Sequence, residues 1–408
     1  MEKLLVKGKT KLNGKVCVQT SKNAVLPILA ASILTDKKVI IKKCPKIIDV
    51  LNIIRILKEL GCVVQWEGDN IIIDSSGANK SEIPQNLAKE LRSSIFMLGS
   101  ILSRFHKAKV AYPGGCDIGI RPIDLHIKGL SMLNVKIEES GGTLYCEGKD
   151  LKGAVIHLDC PSVGATENII MASVLAKGET IIQNAAKEPE IVDLQNFINK
   201  MGGRISGAGS SIIHITGVDK LQGVEYQPIP DRIAAGTYLI GAAMTGGSLE
   251  LSNCCTEHIY SLITKLKEST CKIDYINDKI YLKAAKRLQS IHTIETMPYP
   301  GFPTDLQAQM LSLTTIAKGT SIIIENIFET RYKHVAELNK MGAKITVRDR
   351  MAIVRGVKSL YGTQVCAHDL RGGAALLLAA VSAEGVTEIS DVFHIDRAYE
   401  NMTDIMIS

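Results

Sequence analysis

The chain repeats one sequence pattern six times, with a period of about 70 residues. Each copy reads as a strand, a turn and a second strand, then a small-residue apolar helix, a further strand and an amphipathic helix. In the first copy the two helices are NAVLPILAASIL and LNIIRILKELG. Because one copy alone would leave an apolar helix face unburied, the copies must pack against one another.

Alternating strands and helices predict a layered α/β fold. At 408 residues the chain exceeds what a single core usually serves, so the six copies divide into three plus three. We predict two similar domains, each built from three repeated βαβαββ-like units with the small-residue helices at the centre and the sheets outside. One domain spans residues 21–229, and the other combines residues 1–20 with residues 230–408.

The sixth copy is incomplete. Counting forward from Met341, Gly342 and Ala343 of the fifth copy, the equivalent closing strand falls just past Ser408. Either this copy does without its last strand or the chain ends early. The strands of the N-terminal segment are expected to complete the sheet of this last copy.

Composition narrows the classes of function. The hydrophobic fraction of 46% and the charged fraction of 22% are typical of a soluble globular protein. The formal net charge of +6 is spread without long basic runs, so small anionic ligands are expected rather than nucleic acid. Apolar runs such as AALLLAAV stop well short of the roughly 18 to 20 residues that a membrane span needs.

The ten cysteines are scattered, without a CxxC pair or a preceding signal peptide, which disfavours a disulfide framework or a zinc ribbon and favours reduced thiols in a cytoplasm. Nine of them are predicted to be small buried apolar residues. Cys116 differs, because Gly114, Gly115 and Gly119 surround it and Arg121 could favour its thiolate. Such a thiol suits proton transfer or attack on an electrophilic carbon, and the lack of a histidine at a fixed spacing disfavours a cysteine-hydrolase dyad.

Two loops in each copy lead from a strand into a helix and carry polar residues at matching positions. The loops before the apolar helices contain Lys22-Asn23, Arg92-Ser93, Ser162 to Thr166, Asp231-Arg232, Thr304-Asp305 and Asp369 to Arg371. Those before the amphipathic helices contain Pro45-Lys46, Pro113 to Pro122, Lys187-Glu188, Glu257-His258, Glu329 to Arg331 and His394 to Arg397. Helix N-termini bind anions, so two facing domains would enclose a cationic cleft for a phosphorylated ligand.

A simpler interpretation exists for each of these residues. A single lysine or arginine at a helix start is usually a solvated surface charge, and Ser162, Asp231 or Asp305 could be helix N-caps. For Asp231 the cap is favoured. For Asp305 the preceding PYPGFPTD makes a rigid, proline-punctuated approach that a cap does not need.

Eight segments together resemble the UDP-N-acetylglucosamine 1-carboxyvinyltransferases of the enolpyruvyl transferase family. They are SKNAVLP, PGGCDIGIRPIDLH, PSVGATEN, AAKEPEIVD, PGFPTDLQAQ, IFETRYKHVAEL, HDLRGGAAL and HIDRAYE. The resemblance covers essentially the whole chain. It implies a two-domain inside-out α/β barrel that closes on UDP-N-acetylglucosamine and then on phosphoenolpyruvate, with no metal or organic cofactor.

The resemblance also implies roles for individual residues. Cys116 would be the general acid on a closing loop and could add covalently to phosphoenolpyruvate, and Asp305 would take the proton of the sugar 3-hydroxyl. Asn23 would fix the tetrahedral intermediate. The residues implied to hold phosphoenolpyruvate are Lys22, Arg121 and Arg397, and Arg371 would bridge the cleft near its carboxylate. Those implied to hold the UDP-sugar are Arg92, Arg121, Pro122, Ile123, Asp124, Leu125, Ser162, Val163, Gly164, Thr304, Asp305, Ile327 and Arg331.

Two departures from the family pattern and two alternatives stay open. Some family members have a lysine where Cys160 stands, and only part of the family lacks the last strand, beside Arg397. The alternatives are a 3-phosphoshikimate 1-carboxyvinyltransferase, against which the Cys116 loop speaks, and a non-catalytic paralogue that binds UDP-sugar. The sequence does not reveal the oligomeric state.

Overall fold

The computed structural model describes residues 3–90, 92–112 and 122–407, with the side chains of all but 89, 90, 92, 93, 404, 406 and 407. The chain divides into two compact units. The first unit runs from Thr20 to Ile229, and the second unit combines the residues up to Gln19 with those from Pro230 onward. Thr20 thus falls one residue before the predicted start of the first domain. None of the helices in the described part of the chain has the length and hydropathy to span a bilayer.

The described residues form 23 strands and 14 α-helices. The strands are β1 (Lys3–Lys7), β2 (Asn13–Cys17), β3 (Lys38–Ile41), β4 (Val63–Glu67), β5 (Asn70–Asp74), β6 (Glu82–Ile83), β7 (Lys107–Ala111), β8 (Lys136–Ser140), β9 (Thr143–Glu147), β10 (Val155–His157), β11 (Glu179–Gln183), β12 (Arg204–Ser206), β13 (Ile212–Thr216), β14 (Val224–Tyr226), β15 (Ser248–Ser252), β16 (Lys272–Ile276), β17 (Lys279–Lys283), β18 (Thr293–Glu295), β19 (Thr320–Ile324), β20 (Lys344–Arg348), β21 (Met351–Arg355), β22 (Gln364–Cys366) and β23 (Val386–Ser390).

The helices are α1 (Lys22–Ala31), α2 (Ile48–Glu59), α3 (Gln85–Glu90), α4 (Met97–Phe105), α5 (Asp124–Met132), α6 (Val163–Ser173), α7 (Pro189–Lys200), α8 (Arg232–Met244), α9 (Tyr260–Glu268), α10 (Gln307–Thr314), α11 (His334–Lys340), α12 (Leu370–Ser382), α13 (Phe393–Asp396) and α14 (Met402–Ile407). Short 3-10 turns precede several of them, including Arg92–Phe96 and Thr304–Leu306.

Five of the six sheets in the described residues share one arrangement, in which a parallel pair is followed by two antiparallel strands. Their orders are β14-β3-β5-β4, β6-β7-β9-β8, β10-β11-β13-β12, β2-β15-β17-β16 and β18-β19-β21-β20. The chain order within one of the six repeats, such as β10-α6-β11-α7-β12-β13, is the predicted βαβαββ pattern. The prediction of a repeated α/β fold is confirmed.

The N-terminal segment serves two sheets of the second unit. Strand β2 supplies the parallel partner of β15, and β1 pairs antiparallel with β23 in the sixth sheet, whose order is β1-β23-β22. That sheet has three strands in the described residues. The prediction that N-terminal strands complete it is therefore confirmed for β1 and wrong for β2.

The small-residue helices form the interior of each unit. In the first unit α4 packs against both α1 and α6, and in the second α8, α10 and α12 pack against one another. Nearly every residue of α1, α6, α8 and α10 is buried, which is typical of helices that are apolar all round. Each unit has a hydrophobic core of its own.

The prediction that nine cysteines are buried is wrong for four of them. Cys44, Cys62, Cys146, Cys254 and Cys271 are buried, whereas Cys17 and Cys160 are exposed and Cys255 and Cys366 are half-buried. Cys17 ends β2, a mostly exposed outer strand, and Cys160 lies in the loop between β10 and α6. A small apolar side chain can occupy either setting, so residue type alone does not fix its burial.

Candidate active site

The polar loop residues before the apolar helices lie at helix starts, as predicted. Lys22 is the first residue of α1, and Arg92 begins the 3-10 turn before α4. Ser162 caps α6 through a bond from the Ala165 N–H, at 3.3 Å. Asp231 caps α8, since its Oδ1 accepts from Ile233 N and Ala234 N at 2.9 Å each, which confirms the cap interpretation.

Asp305 bonds to two arginines of the second unit. Its Oδ1 accepts from Arg331 Nη2 and its Oδ2 from Arg371 Nη2, both at 2.8 Å. The 3-10 turn Thr304–Leu306 presents the carboxylate, the loop between β19 and α11 presents Arg331, and the first turn of α12 presents Arg371. Four residues singled out in the sequence therefore meet here, because Arg331 Nη1 also donates to Thr304 Oγ1 at 2.7 Å.

The carboxylate is the accessible member of this cluster. The side chain of Asp305 is 26% exposed, against 3% for Arg331 and 5% for Arg371. Burial alone would raise the pKa of Asp305, but the charges of Arg371 and Arg331 and their hydrogen bonds outweigh it and hold that pKa well below its usual range. The group is therefore an ionised carboxylate at neutral pH, with two guanidinium groups behind it.

Tyr399 fixes Arg371 from its other side. Its hydroxyl accepts from Arg371 Nη1 at 3.0 Å and lies 3.0 Å from Thr237 Oγ1 and 3.2 Å from Gln309 Nε2. The same amide nitrogen of Gln309 donates to the backbone oxygen of Asp305 at 3.0 Å. Arg397, two residues before Tyr399, is half-buried at the C-terminal end of α13.

In the first unit, Lys22 forms an ion pair that the sequence did not indicate. Its Nζ lies 2.7 Å from Asp49 Oδ2, and the two side chains are 11% and 3% exposed. Asp49 lies in the first turn of α2, so the pair ties the start of α1 to the start of α2. Asn23, the next residue of α1, is half-buried.

A second group in the first unit surrounds the start of α6. A Cβ built on Gly164 would lie 3.0 Å from Phe96 Cε1 and 3.2 Å from His126 Cε1, so a larger residue here would push these two side chains back. Asn168 Oδ1 accepts from Gly99 N at 2.5 Å, which fixes the amide so that Nδ2 faces His126 Nδ1 at 2.9 Å. His126 Nδ1 therefore accepts a hydrogen bond from Asn168 Nδ2, so the proton of the neutral ring is on Nε2.

The remaining predicted binding residues of the first unit lie near the start of α5 and α6. Pro122 and Asp124 are exposed, Ile123 is buried, and Leu125 and Val163 are half-buried. Cys116 and Arg121 lie outside the described residues, as does the side chain of Arg92.

Sequence reasoning missed Asp49, Glu325, Tyr399, His126 and Asn168. Asp49 had a usable signal, since an acidic residue in a helix first turn close to the Pro45-Lys46 loop is a natural partner for a cation. Tyr399 and Glu325 had none, because their partners come from distant parts of the chain. No three histidine, cysteine, aspartate or glutamate side chains in the described ranges converge so as to hold a metal ion.

Comparison with known proteins decides the family. The family model of EPSP synthase (3-phosphoshikimate 1-carboxyvinyltransferase) matches residues 6–406. UDP-N-acetylglucosamine 1-carboxyvinyltransferase 2 of Caldanaerobacter subterraneus subsp. tengcongensis is 52% identical over 402 residues, which are 98% of this chain and 96% of that protein. The chain belongs to the UDP-N-acetylglucosamine 1-carboxyvinyltransferase family.

Other relatives agree with this assignment. UDP-N-acetylglucosamine 1-carboxyvinyltransferase 1 of Staphylococcus aureus strain N315 is 47% identical over 406 residues, 98% of this chain and 96% of that one. Among solved structures, the enolpyruvyl transferase NikO from Streptomyces tendae matches with a TM-score of 0.90 at 21% identity, over 99% of this chain and 97% of that one. EPSP synthase from Acinetobacter baumannii matches with a TM-score of 0.76 at 19% identity, over the same shares. These two structures share the fold of this chain, which is that of the enolpyruvyl transferases.

Proposed function

We propose that this chain transfers the enolpyruvyl group of phosphoenolpyruvate to the 3-hydroxyl of UDP-N-acetylglucosamine and releases phosphate. This is the first committed step of peptidoglycan synthesis, and we place it in the cytoplasm, where it would supply cell-wall growth and so support cell shape and division. Identity of 46–52% over nearly the whole chain to relatives named for this enzyme is the observation that supports the reaction most directly.

The reaction is an addition followed by an elimination. The hydroxyl oxygen adds to the carbon of phosphoenolpyruvate that bears the phosphate, while a proton reaches the methylene carbon. In the elimination, the methyl group formed from the methylene carbon loses a proton, phosphate leaves the neighbouring carbon, and the double bond is restored. Both steps need an acid, a base and cations around the anionic intermediate.

Asp305 is the proposed base for the sugar hydroxyl. The pairing with Arg331 and Arg371 keeps it ionised and so able to accept a proton, but also makes it a weak base. An anionic substrate that draws Arg371 away would raise the pKa of Asp305 and make it a stronger base when the substrates are bound. The partial exposure of the carboxylate supports this role, since a buried one could not meet a hydroxyl.

Cys116 is the proposed general acid for the methylene carbon, and its thiol is also proposed to add covalently to phosphoenolpyruvate. The residues proposed to hold the phosphate and carboxylate of phosphoenolpyruvate are Lys22, Arg121, Arg371 and Arg397, with Asn23 on the tetrahedral intermediate. Burial of the Lys22 and Asp49 pair supports a fixed position for that lysine, because a paired ammonium keeps its charge and its direction.

The residues proposed to hold the UDP-sugar are Arg92, Arg121, Pro122, Ile123, Asp124, Leu125, Ser162, Val163, Gly164, Thr304, Asp305, Ile327 and Arg331. The helix starts at Ser162 and Asp124 supply free backbone N–H groups of the kind that bind phosphate oxygens.

Acceptor competition tests the proposed function. Phosphate release from phosphoenolpyruvate is measured with UDP-N-acetylglucosamine or with shikimate 3-phosphate as the acceptor. Release with the UDP-sugar alone is the expected result. Release only with shikimate 3-phosphate would assign the reaction of the other branch of the family, and binding of UDP-sugar without release would indicate the non-catalytic paralogue.

A further inference from the structure

Glu325 is a buried carboxylate beside the Asp305 cluster that the proposed reaction does not use. It follows β19 directly, and its exposed fraction is 0%. Among the described residues, no lysine, arginine or histidine forms an ion pair with it. A buried carboxylate without a cation is costly unless neutral donors satisfy its oxygens, so its contacts require an explanation.

Four donors from three segments satisfy this carboxylate. Oε1 accepts from Thr296 Oγ1 at 3.0 Å, Ile327 N at 2.9 Å and Phe328 N at 3.0 Å. Thr304 Oγ1 lies 2.9 Å from both Oε1 and Oε2. Glu325 therefore joins the end of β18, the loop after β19 and the 3-10 turn that carries Asp305.

The direction of the Thr304 bond follows from its neighbours. Thr304 Oγ1 accepts from Arg331 Nη1 at 2.7 Å, and a carboxylate can only accept, so the single hydroxyl proton points to Glu325. Arg331 consequently lies between two carboxylates. It bonds to Asp305 directly and to Glu325 through the hydroxyl of Thr304.

We propose that Glu325 is a positioning residue for the transfer reaction, acting on Arg331 and Asp305 through Thr304. Its Oε1 holds the Ile327 and Phe328 backbone in place, and its two oxygens together set the Thr304 hydroxyl that orients Arg331. This inference rests on the proposed function, because it gives Glu325 a part in that reaction.

Glu325→Gln keeps one of the two carboxylate oxygens and replaces the other by an NH₂ group. Its oxygen can keep the three donors of Oε1, while its NH₂ replaces Oε2 and donates to Thr304 Oγ1. The hydroxyl proton of Thr304 is then left with the oxygen at the Oε1 position alone, which already accepts from three other donors, so the Arg331 bond is disturbed. Glu325→Gln should lower kcat roughly 10- to 100-fold, the scale of a small misplacement of a reacting group, and leave the KM for UDP-N-acetylglucosamine within about twofold.

Thr304 variants test whether the effect passes through the hydroxyl. Thr304→Val removes the bridge without a large change of shape, whereas Thr304→Ser keeps it. The valine variant should lose kcat to an extent similar to Glu325→Gln, and it should lose more than the serine variant does. In the Thr304→Val background, Glu325→Gln should add less than about twofold, because residues acting as a unit are not additive.

Glu337→Gln is a matched control, since Glu337 is a buried glutamate of the same unit whose carboxylate holds Lys340 and the Cys366 N–H instead. It should keep kcat and KM near the wild-type values.

The closing experiment is the kinetic cycle of wild type, Glu325→Gln, Thr304→Val and the double variant, with phosphate release as the readout. A wild-type chain that releases no phosphate would overturn the proposed function. With an active wild type, non-additive losses in kcat at nearly constant KM support the role of Glu325. Additive losses, a wild-type kcat in Glu325→Gln, or an equal loss in Glu337→Gln would overturn it.

Discussion

Asp305 and Arg371 share a hydrogen bond of 2.8 Å between Oδ2 and Nη2, and the two side chains differ in exposure by about fivefold. The guanidinium is buried, and the carboxylate that balances its charge faces partly outward. Since arginine does not lose its proton in a protein, the balance depends on the carboxylate. Asp305 therefore stabilises the second unit in addition to its proposed part in the reaction.

Asp305→Asn should lower the free energy of unfolding and also slow turnover strongly. The loss of charge leaves Arg331 and Arg371 buried with a weaker partner, which costs about 2 kcal/mol for a partly exposed pair. As the proposed base, Asp305 should also account for a loss of roughly 100-fold or more in phosphate release. Urea unfolding and phosphate release on the same preparation measure both effects.

The matching control is Asp231→Asn, which replaces a helix cap by an equally good one. It should lose less stability than Asp305→Asn, because the cap bonds remain and only the charge that Asp231 adds near Arg371 is lost. If Asp305→Asn behaved in the same way in both assays, the two arginine contacts would carry neither function nor stability.

The cost of Asp305→Asn should not depend on pH between 5 and 8. The pKa of Asp305 in the folded chain lies well below 3.8. A lowered pKa gives stability that is present above the unfolded value and is lost only as the pH falls through the folded one. A difference in unfolding free energy that shrank between pH 8 and pH 5 would contradict the strong pairing.

Asp193, unlike Asp305, should make the free energy of unfolding depend on pH between 5 and 8. Burial raises its pKa from 3.8 to about 6, although Tyr226 and the Ile229 N–H donate to it. A raised pKa gives stability that is complete below pH 3.8 and is lost as the pH rises through about 6. Between pH 5 and pH 8 the titration of this group should lower the free energy of unfolding of the wild type by about 1.5 kcal/mol, and Asp193→Asn should not show this loss. If the free energies of unfolding of the two proteins changed by the same amount between pH 5 and pH 8, the raised pKa would be excluded.

Glu167 offers a stabilising substitution. It is buried in α6, and its Oε2 has no hydrogen-bond partner among the residues that the structure describes. Burial, with the charges of Glu190 and Glu188, raises its pKa well above 4.5. The stability it gives is present below pH 4.5 and is lost as the pH rises through the folded pKa. Glu167→Gln removes the titration and should raise the melting temperature at pH 8 more than at pH 5. An equal effect at both pH values would show that the group does not titrate in this range.

Cys116 is predicted to be the fastest thiol to react with an alkylating reagent once UDP-sugar is bound, and phosphoenolpyruvate should protect it. Burial raises the pKa of Cys146 and Cys254 to about 12, so these should stay unlabelled. Exposed Cys17 and Cys160 are the real competitors, and a Cys17→Ser, Cys160→Ser background removes them. Peptide mass spectrometry that found Cys116 inert in this background would contradict its proposed role.

The sequence predicted repeated features better than single contacts. The repeated order of strands and helices predicted the helix starts at Lys22, Ser162 and Asp231, because each copy must bury the same apolar helix face. The short sixth sheet followed from counting residues. The bonds of Glu325 could not be predicted, since they depend on which loops meet after folding, whereas Asp49, in the first turn of α2, had a usable signal. The exposure of Cys17 was missed for the same reason, because it depends on the position of β2 in its sheet.

The most direct test of the central claim is product analysis with wild-type chain, UDP-N-acetylglucosamine and phosphoenolpyruvate. Phosphate and a UDP-sugar that carries the enolpyruvyl group should form in equal amounts, and Asp305→Asn should form neither at a comparable rate. Phosphate release without any modified UDP-sugar, or no release from a folded wild-type chain, would contradict the proposed transfer.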